Sequence, residues 1–450
     1  MITVTDKSDA KLRKRLESLS RRDRNYWSFK GNSKREHGHG LLQYPAMMVP
    51  QVVRAVLKVA CKVHPEISHV GDPFVGSGTV LTECMLKGLH FIGKDVNPLA
   101  VLLCRTKAGP FLPDRLKDRI AAVKAAIDAD RRTAIEAAFR NRDKWFTREA
   151  QIALSKIRRA IRTERSLWAR RFLWIGAAEA VRLGSNSRTS TVKLHVRTAE
   201  DIGTRNASLI TIFKKAIDRN LKRVTSQAKL LQTRGYLLNG RYVRNVHVSL
   251  GDTRRARRAA ACDIVVTSPP YGDNESTIPY GQYSYLPLQW IDLRDIDPAA
   301  TAEYLTSTHE IDRRSLGGSK RLNEGTQRSL SSRSPSLARY LKRLADQPED
   351  RARRVLAFFR DLDACLAPIL NSLRPGGLLV WALGNRKVGG KRVPLDGVLS
   401  ELLHAHSASL ICRLRRRISS KRMARKNNVA ETMSTETILV MRKAGGCGHR

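Results

Sequence analysis

Acidic residues are scarce in this chain: 41 Asp and Glu stand against 83 Lys and Arg, for a formal net charge of +42 over 450 residues. Such an excess attracts polyanions, and phosphate neutralisation by lysine and arginine makes nucleic acid the natural partner. A high-GC coding bias toward arginine is the competing explanation. Cysteine is also sparse. The seven cysteines are odd in number and scattered, with no Cys-x-x-Cys pair, so neither a zinc site nor a disulfide framework is suggested. His37-Gly38-His39 has no acid or thiol cluster beside it, which makes a poor metal site, and no metal is expected. Long apolar runs are missing, and the N-terminus carries Lys7, Lys11, Arg13, Lys14 and Arg15 where a signal peptide would be apolar. The expectation is a cytoplasmic protein without a membrane span.

What is present starts with 42% hydrophobic residues, enough for one substantial core with a sizeable insertion or two. The most informative stretch is Val70-Gly71-Asp72-Pro73-Phe74-Val75-Gly76-Ser77-Gly78-Thr79. An apolar approach runs into an acid, then into two glycines one residue apart, then into helical-looking sequence: strand, tight turn, helix. Glycines there permit a turn that side chains would block and let a ligand approach the backbone. Phe91-Ile92-Gly93-Lys94-Asp95 reads as the next strand and puts an acid where a ribose diol would sit. The third glycine of a dinucleotide fingerprint is missing, because Thr79 and Val80 follow Gly78, so NAD is disfavoured. Further along, Asp263-Ile264-Val265-Val266-Thr267-Ser268-Pro269-Pro270-Tyr271 is a β-branched run that ends in two prolines and an aromatic, a rigid extended turn at a strand end.

Asp72 to Thr79 resembles the S-adenosylmethionine motif of amino-group DNA methyltransferases, and Thr267-Ser268-Pro269-Pro270-Tyr271 resembles their catalytic motif in its cytosine-N4 form. The resemblance implies a Rossmann-like class I methyltransferase sheet: α/β, mostly parallel, with a terminal antiparallel hairpin. It implies S-adenosylmethionine as cofactor, held by Asp72, Phe74, Gly76, Gly78, Thr79 and Asp95, with Asp252 toward the adenine and Tyr44 and Pro45 toward the methionine end. Ser268, Pro269, Pro270 and Tyr271 are the catalytic candidates. A cytosine amine is a weak nucleophile because its lone pair is delocalised into the ring. The Ser268 hydroxyl and the Pro269 carbonyl could accept its hydrogens and localise that lone pair, while Tyr271 stacks on the base. Cytosine-C5 chemistry, which needs a thiolate following a proline in that family, is disfavoured, since none of the cysteines follows a proline.

The rest of the chain divides around these motifs. Residues 1–36 read as a basic N-terminal extension, partly disordered, with Tyr26 to Phe29 as a possible anchor. The catalytic domain is expected over 37–110 and 241–450, interrupted at 111–240 by a basic helical insertion that contacts DNA as a target-recognition region or braces the sheet, with the loop after Tyr271 as the rival recognition site. Residues 306–338, rich in Ser, Arg, Gly and Lys, read as a mobile basic loop. Thr437 to Met441 is expected to pair antiparallel with Leu410 to Cys412. Tyr280, Tyr283, Tyr285 and Trp290 either stack a flipped base or pack under a loop. Arg415, Arg416, Arg417, Lys421, Arg422 and Arg425 are the candidates for gripping the phosphate backbone.

Together these features suggest a site-specific enzyme that methylates cytosine N4 in double-stranded DNA, with a cognate restriction endonuclease as a partner the family admits. Adenine-N6 methylation is the alternative within the same chemistry and an RNA amine ranks third. From another class, the chain could be a non-catalytic nucleic-acid-binding protein with a methylase shell.

Overall fold

A computed structural model describes residues 4–23, 25–33, 35–203, 208–255, 261–273, 277–319, 321–323, 325–418 and 434–445. Seven strands form the central sheet: β1 (His69–Asp72), β2 (His90–Asp95), β3 (Val246–Leu250), β4 (Cys262–Thr267), β5 (Leu373–Gly384), β6 (Ala408–Arg417) and β7 (Thr435–Lys443). Their order is β6-β7-β5-β4-β1-β2-β3. The five strands from β3 to β5 run parallel, while β7 pairs antiparallel with both β5 and β6. The expected hairpin is present, with Leu410 opposite Met441 and Cys412 opposite Val440. This is the mostly parallel α/β sheet that the sequence implies. Strand order reverses direction beside β1, so β1 and β4 open a crevice at their carboxyl ends.

The central strands are buried on both faces, and their sequences are correspondingly apolar and β-branched. Every residue of β4 is buried. Around the sheet lie α1 (Val4–Arg22), α2 (Pro50–Val63), α3 (Thr79–Met85) and α4 (Pro98–Lys107). Helix α4 starts with proline at its first position, and the Asn97 side chain caps it by accepting from the Leu99 amide at 3.0 Å. The insertion supplies α5 (Pro113–Ala129), α6 (Arg148–Thr163), α7 (Leu167–Gly184) and α8 (Leu209–Thr233). Its most apolar member, α7, packs on α4, and Phe172, Trp174 and Val181 belong to the same core as Val70 and Phe91 of the sheet. This apolar face joins the insertion to the core of the sheet.

The N-terminal extension carries a helix that docks on the body: Leu12 and Leu16 of α1 are each 1% exposed, and α1 packs on α2 and β6. Trp27, within the proposed anchor, is buried. Residues 306–338, expected as a mobile basic loop, hold α9 (Glu310–Arg314), α10 (Thr326–Arg333) and the start of α11 (Pro335–Arg343), with Ile311, Leu316, Leu330 and Leu337 buried. Helix α12 (Glu349–Asn371) then leads into β5. Among the described residues no helix is long and apolar enough to cross a membrane.

Candidate active site

At the end of β1 the chain turns sharply into α3, and two glycines make the turn possible: Gly76 has φ +47° and Gly78 φ +71°, both in the left-handed region. A side chain at Gly78 would also put its Cβ 2.8 Å from the Cys104 sulfur. The second acid joins this turn directly, because Asp95 Oδ2 accepts from the Gly76 amide at 2.8 Å and Oδ1 from the Asn97 amide at 2.8 Å. Beneath the turn, buried Lys107 donates to the Ser77 carbonyl at 2.6 Å.

The turn forms one wall of a cleft. Of the predicted cofactor residues, Tyr44, Pro45, Asp72, Phe74, Gly76, Thr79, Asp95 and Asp252 line it, together with Ser268 and Pro270 of the catalytic turn. Gly78 does not line it but shapes the wall. Tyr44 is held in place by its hydroxyl, which accepts from Asn97 Nδ2 at 2.9 Å, and its ring stacks on Tyr280 at 5.9 Å. Of the downstream aromatics only Tyr280 reaches the cleft, while Tyr283, Tyr285 and Trp290 pack in the core.

The cleft is electrostatically uneven. Burial pushes the Asp72 carboxyl up to about 7, against hydrogen bonds from Thr267 and the Phe74 amide, and burial likewise lifts Asp95 to about 6. Among the described residues neither acid is in an ion pair. Asp252 differs, since Arg254 holds it at 2.8 Å. A ligand carrying positive charge would stabilise Asp72 and Asp95 in their ionised form.

The catalytic turn meets this cleft from β4. Thr267 donates to Asp72 Oδ1 at 2.6 Å. The Ser268 hydroxyl has its hydrogen directed inward, toward the Ala382 carbonyl at 3.0 Å or the Tyr271 oxygen at 3.2 Å. Tyr271 in turn donates to Glu436 Oε1 at 3.2 Å, and Glu436 Oε2 is paired with Arg416 Nε at 2.8 Å. Burial and the Glu436 charge keep the Tyr271 phenol well above its ordinary pKa, so it stays neutral. Pro269 is buried behind the turn.

Arg416 is therefore a correction. It is 5% exposed and spent on Glu436 and the Trp27 carbonyl, so it is not available to a phosphate; Arg415 and Arg417, on the opposite face of β6, are exposed. Alternation along a strand makes this inevitable for three consecutive arginines. Lys421, Arg422 and Arg425 lie outside the described residues. His39 is buried against Glu83, with Nε2 and Oε1 3.0 Å apart, and Arg54 caps the same carboxylate at 2.9 Å.

Several site residues escaped sequence reasoning. Ile311, Arg314, Ser315 and Leu316 cover the cleft. Arg254 ties that cover down: it bridges to Asp361 at 2.9 Å and donates to the Arg314 carbonyl at 2.9 Å, and Asp361 accepts from the Gly317 amide at 2.9 Å. The isolated apolar residues Ile311 and Leu316 within a polar stretch were the available signal.

Comparison with known proteins decides the family. Over 447 residues the chain is 30% identical to the Type II methyltransferase M.MvaI of Kocuria varians, covering 95% of this chain and 96% of that protein. The chain belongs to the Type II methyltransferases. This methyltransferase also matches the Type II methyltransferase M.MjaII of Methanocaldococcus jannaschii at 37% identity over 82 residues, 18% of the chain and 15% of that protein. Among solved structures, the rRNA methyltransferase aviRa from Streptomyces viridochromogenes aligns with a TM-score of 0.30 at 12% identity, covering 88% of this chain and 86% of that one, which is too distant to carry weight. No protein-family model matches.

The methyl donor is S-adenosylmethionine. The residues present fit it: a glycine turn that exposes backbone at the cleft, and two carboxylates that form no ion pair among the described residues, lining the site of a ligand that carries a sulfonium and an ammonium group.

Proposed function

We propose that this methyltransferase modifies the N4 amino group of cytosine in double-stranded DNA, acting on a base flipped out of the helix. The observation that carries the proposal is the orientation of Ser268. With its hydrogen directed inward, the hydroxyl presents lone pairs toward the cleft, and an acceptor is what an amine N–H requires. Ser268 would take one amine hydrogen and the Pro269 carbonyl the other, restoring nucleophilic character to the nitrogen. Pro269 and Pro270 hold this geometry with little conformational freedom to lose. Tyr271 would stack on the base. S-adenosylmethionine supplies the electrophilic methyl group on its sulfonium, and alignment of amine and donor accounts for most of the rate.

Toward the cofactor, we assign Asp95 to the ribose, Asp252 to the adenine amino group, and Tyr44 and Pro45 to the methionine end. The serine-type motif favours cytosine over adenine. A polyanionic substrate agrees with the net charge of +42 and with exposed Arg413, Arg415 and Arg417 along β6. An endonuclease cutting the same site is the partner this function implies.

Transfer of labelled methyl from S-adenosylmethionine to duplex DNA tests the proposal. Ser268→Ala should reduce transfer on the order of 10²-fold or more while cofactor affinity is retained. Full transfer by Ser268→Ala would remove the serine from the chemistry.

A further inference from the structure

Methylating a neutral amine leaves the nitrogen with a positive charge and one hydrogen more than the neutral product holds. That proton must leave. The acceptors nearest the amine in the proposed geometry, a hydroxyl and a backbone carbonyl, are poor final destinations for it.

Behind Ser268 lies a hydrogen-bonded run that ends on a carboxylate. The Ser268 oxygen is 3.2 Å from the Tyr271 oxygen, and the Tyr271 hydroxyl donates across 3.2 Å to Glu436 Oε1. The backbone fixes the position of Glu436, which sits at the start of β7, opposite Gly384 of β5 and Arg416 of β6, at the end of the sheet where β4 delivers Ser268. Arg416 holds its other oxygen at 2.8 Å. The Glu436 side chain is 18% exposed, so it has both a buried approach from Tyr271 and a path to water. Protonation at the exocyclic nitrogen removes the delocalisation of its lone pair into the pyrimidine ring, which makes the methylated cation a strong acid that a carboxylate can deprotonate.

We infer that Glu436 is the terminal acceptor of the amine proton, reached through Ser268 and Tyr271. One N–H proton passes to the Ser268 oxygen as the serine hydrogen passes to the Tyr271 oxygen and the tyrosine hydrogen to Glu436. The methylated amine ends neutral, both hydroxyls are restored, and Glu436 releases the proton to solvent. Glu436 touches no substrate and acts as a positioning and proton-accepting residue for the two that do. The inference rests on the exocyclic-amine chemistry proposed above and holds for cytosine N4 and adenine N6 alike.

Glu436→Gln tests it, because the amide still accepts from Tyr271 and keeps the shape of the site but takes no proton. The measurement is the single-turnover methyl-transfer rate on duplex DNA in H2O and in D2O, with cofactor and DNA affinities determined alongside. The expected result is a rate lowered roughly tenfold or more, a solvent isotope effect altered from that of the wild type, affinities unchanged, and partial recovery in Glu436→Asp. If Glu436→Gln fails to bind cofactor, Tyr271→Phe decides, since it keeps the stacking ring and the Glu436–Arg416 pair but cuts the run; the same loss of rate is expected. A wild-type rate and isotope effect in either folded variant would overturn this inference alone. Absence of wild-type transfer to any amine would overturn the chemistry beneath it as well.

Discussion

Thr267 donates its hydroxyl to Asp72 across 2.6 Å, joining residues 195 positions apart. The last residue of the catalytic strand thereby holds the acid that opens the cofactor turn, and the two motifs form one unit. Removing that bond in Thr267→Val should weaken cofactor binding even though Thr267 faces no substrate. Titration calorimetry would show it as a rise in Kd of roughly three- to tenfold, the equivalent of one ordinary intramolecular hydrogen bond.

The same acid sets a pH dependence. Asp72 and Asp95, at about 7 and about 6 in the fold, both lie above the ordinary value of 3.8. Each holds its proton more tightly folded than unfolded, so its stabilising contribution is full below pH about 4 and is lost as pH rises through 6 and 7. The cofactor-free protein should therefore lose thermal stability across that window, and Asp72→Asn should lose less. The cationic cofactor favours the ionised acids, so its affinity should climb over the same range. Melting curves of both proteins with and without cofactor check the two slopes.

Gly78→Ala meets both a positive φ and the Cys104 sulfur, and no flexible chain end is there to yield. A destabilisation of about 1–3 kcal/mol is expected, together with loss of cofactor binding. Denaturant melts and a binding isotherm measure the two effects separately.

Arg254 links Asp252 to the segment covering the cleft, so Arg254→Gln should raise the cofactor Kd by about tenfold with little change in DNA affinity. A purely structural arginine would lower the melting temperature without this selective effect.

The arginines of β6 should separate by face. Arg415→Ala and Arg417→Ala should leave stability within about 0.5 kcal/mol and each reduce the salt slope of DNA binding by about 1. Arg416→Ala strands Glu436 and should destabilise the protein on the order of 3 kcal/mol. Salt titrations and thermal melts distinguish the two classes.

Much of this arrangement was legible in the chain because the signals were local. Asp72 to Thr79 and Thr267 to Tyr271 each announce a strand end and its turn, and β-branched runs mark the buried strands. The amphipathic spacing of Leu116, Ile120, Val123 and Ile127 marks an inserted helix, and all four are buried. What composition obscured was helix under charge. Leu12 and Leu16 dock α1 through one narrow stripe in an otherwise polar, basic segment, and Leu330 and Leu337 do the same where Ser and Arg dominate. Long-range partners were invisible for a different reason. Nothing near Glu436 in sequence indicates that the hairpin brings it against Tyr271, and only the register of β5, β6 and β7 does so.

The most direct test of the central claim is nucleoside mass spectrometry on DNA from a methylation-free host expressing this protein, beside a host expressing Ser268→Ala. N4-methylcytosine present with the wild type and absent with Ser268→Ala is the predicted result. N6-methyladenine in its place, or N4-methylcytosine that persists without the serine, would contradict it.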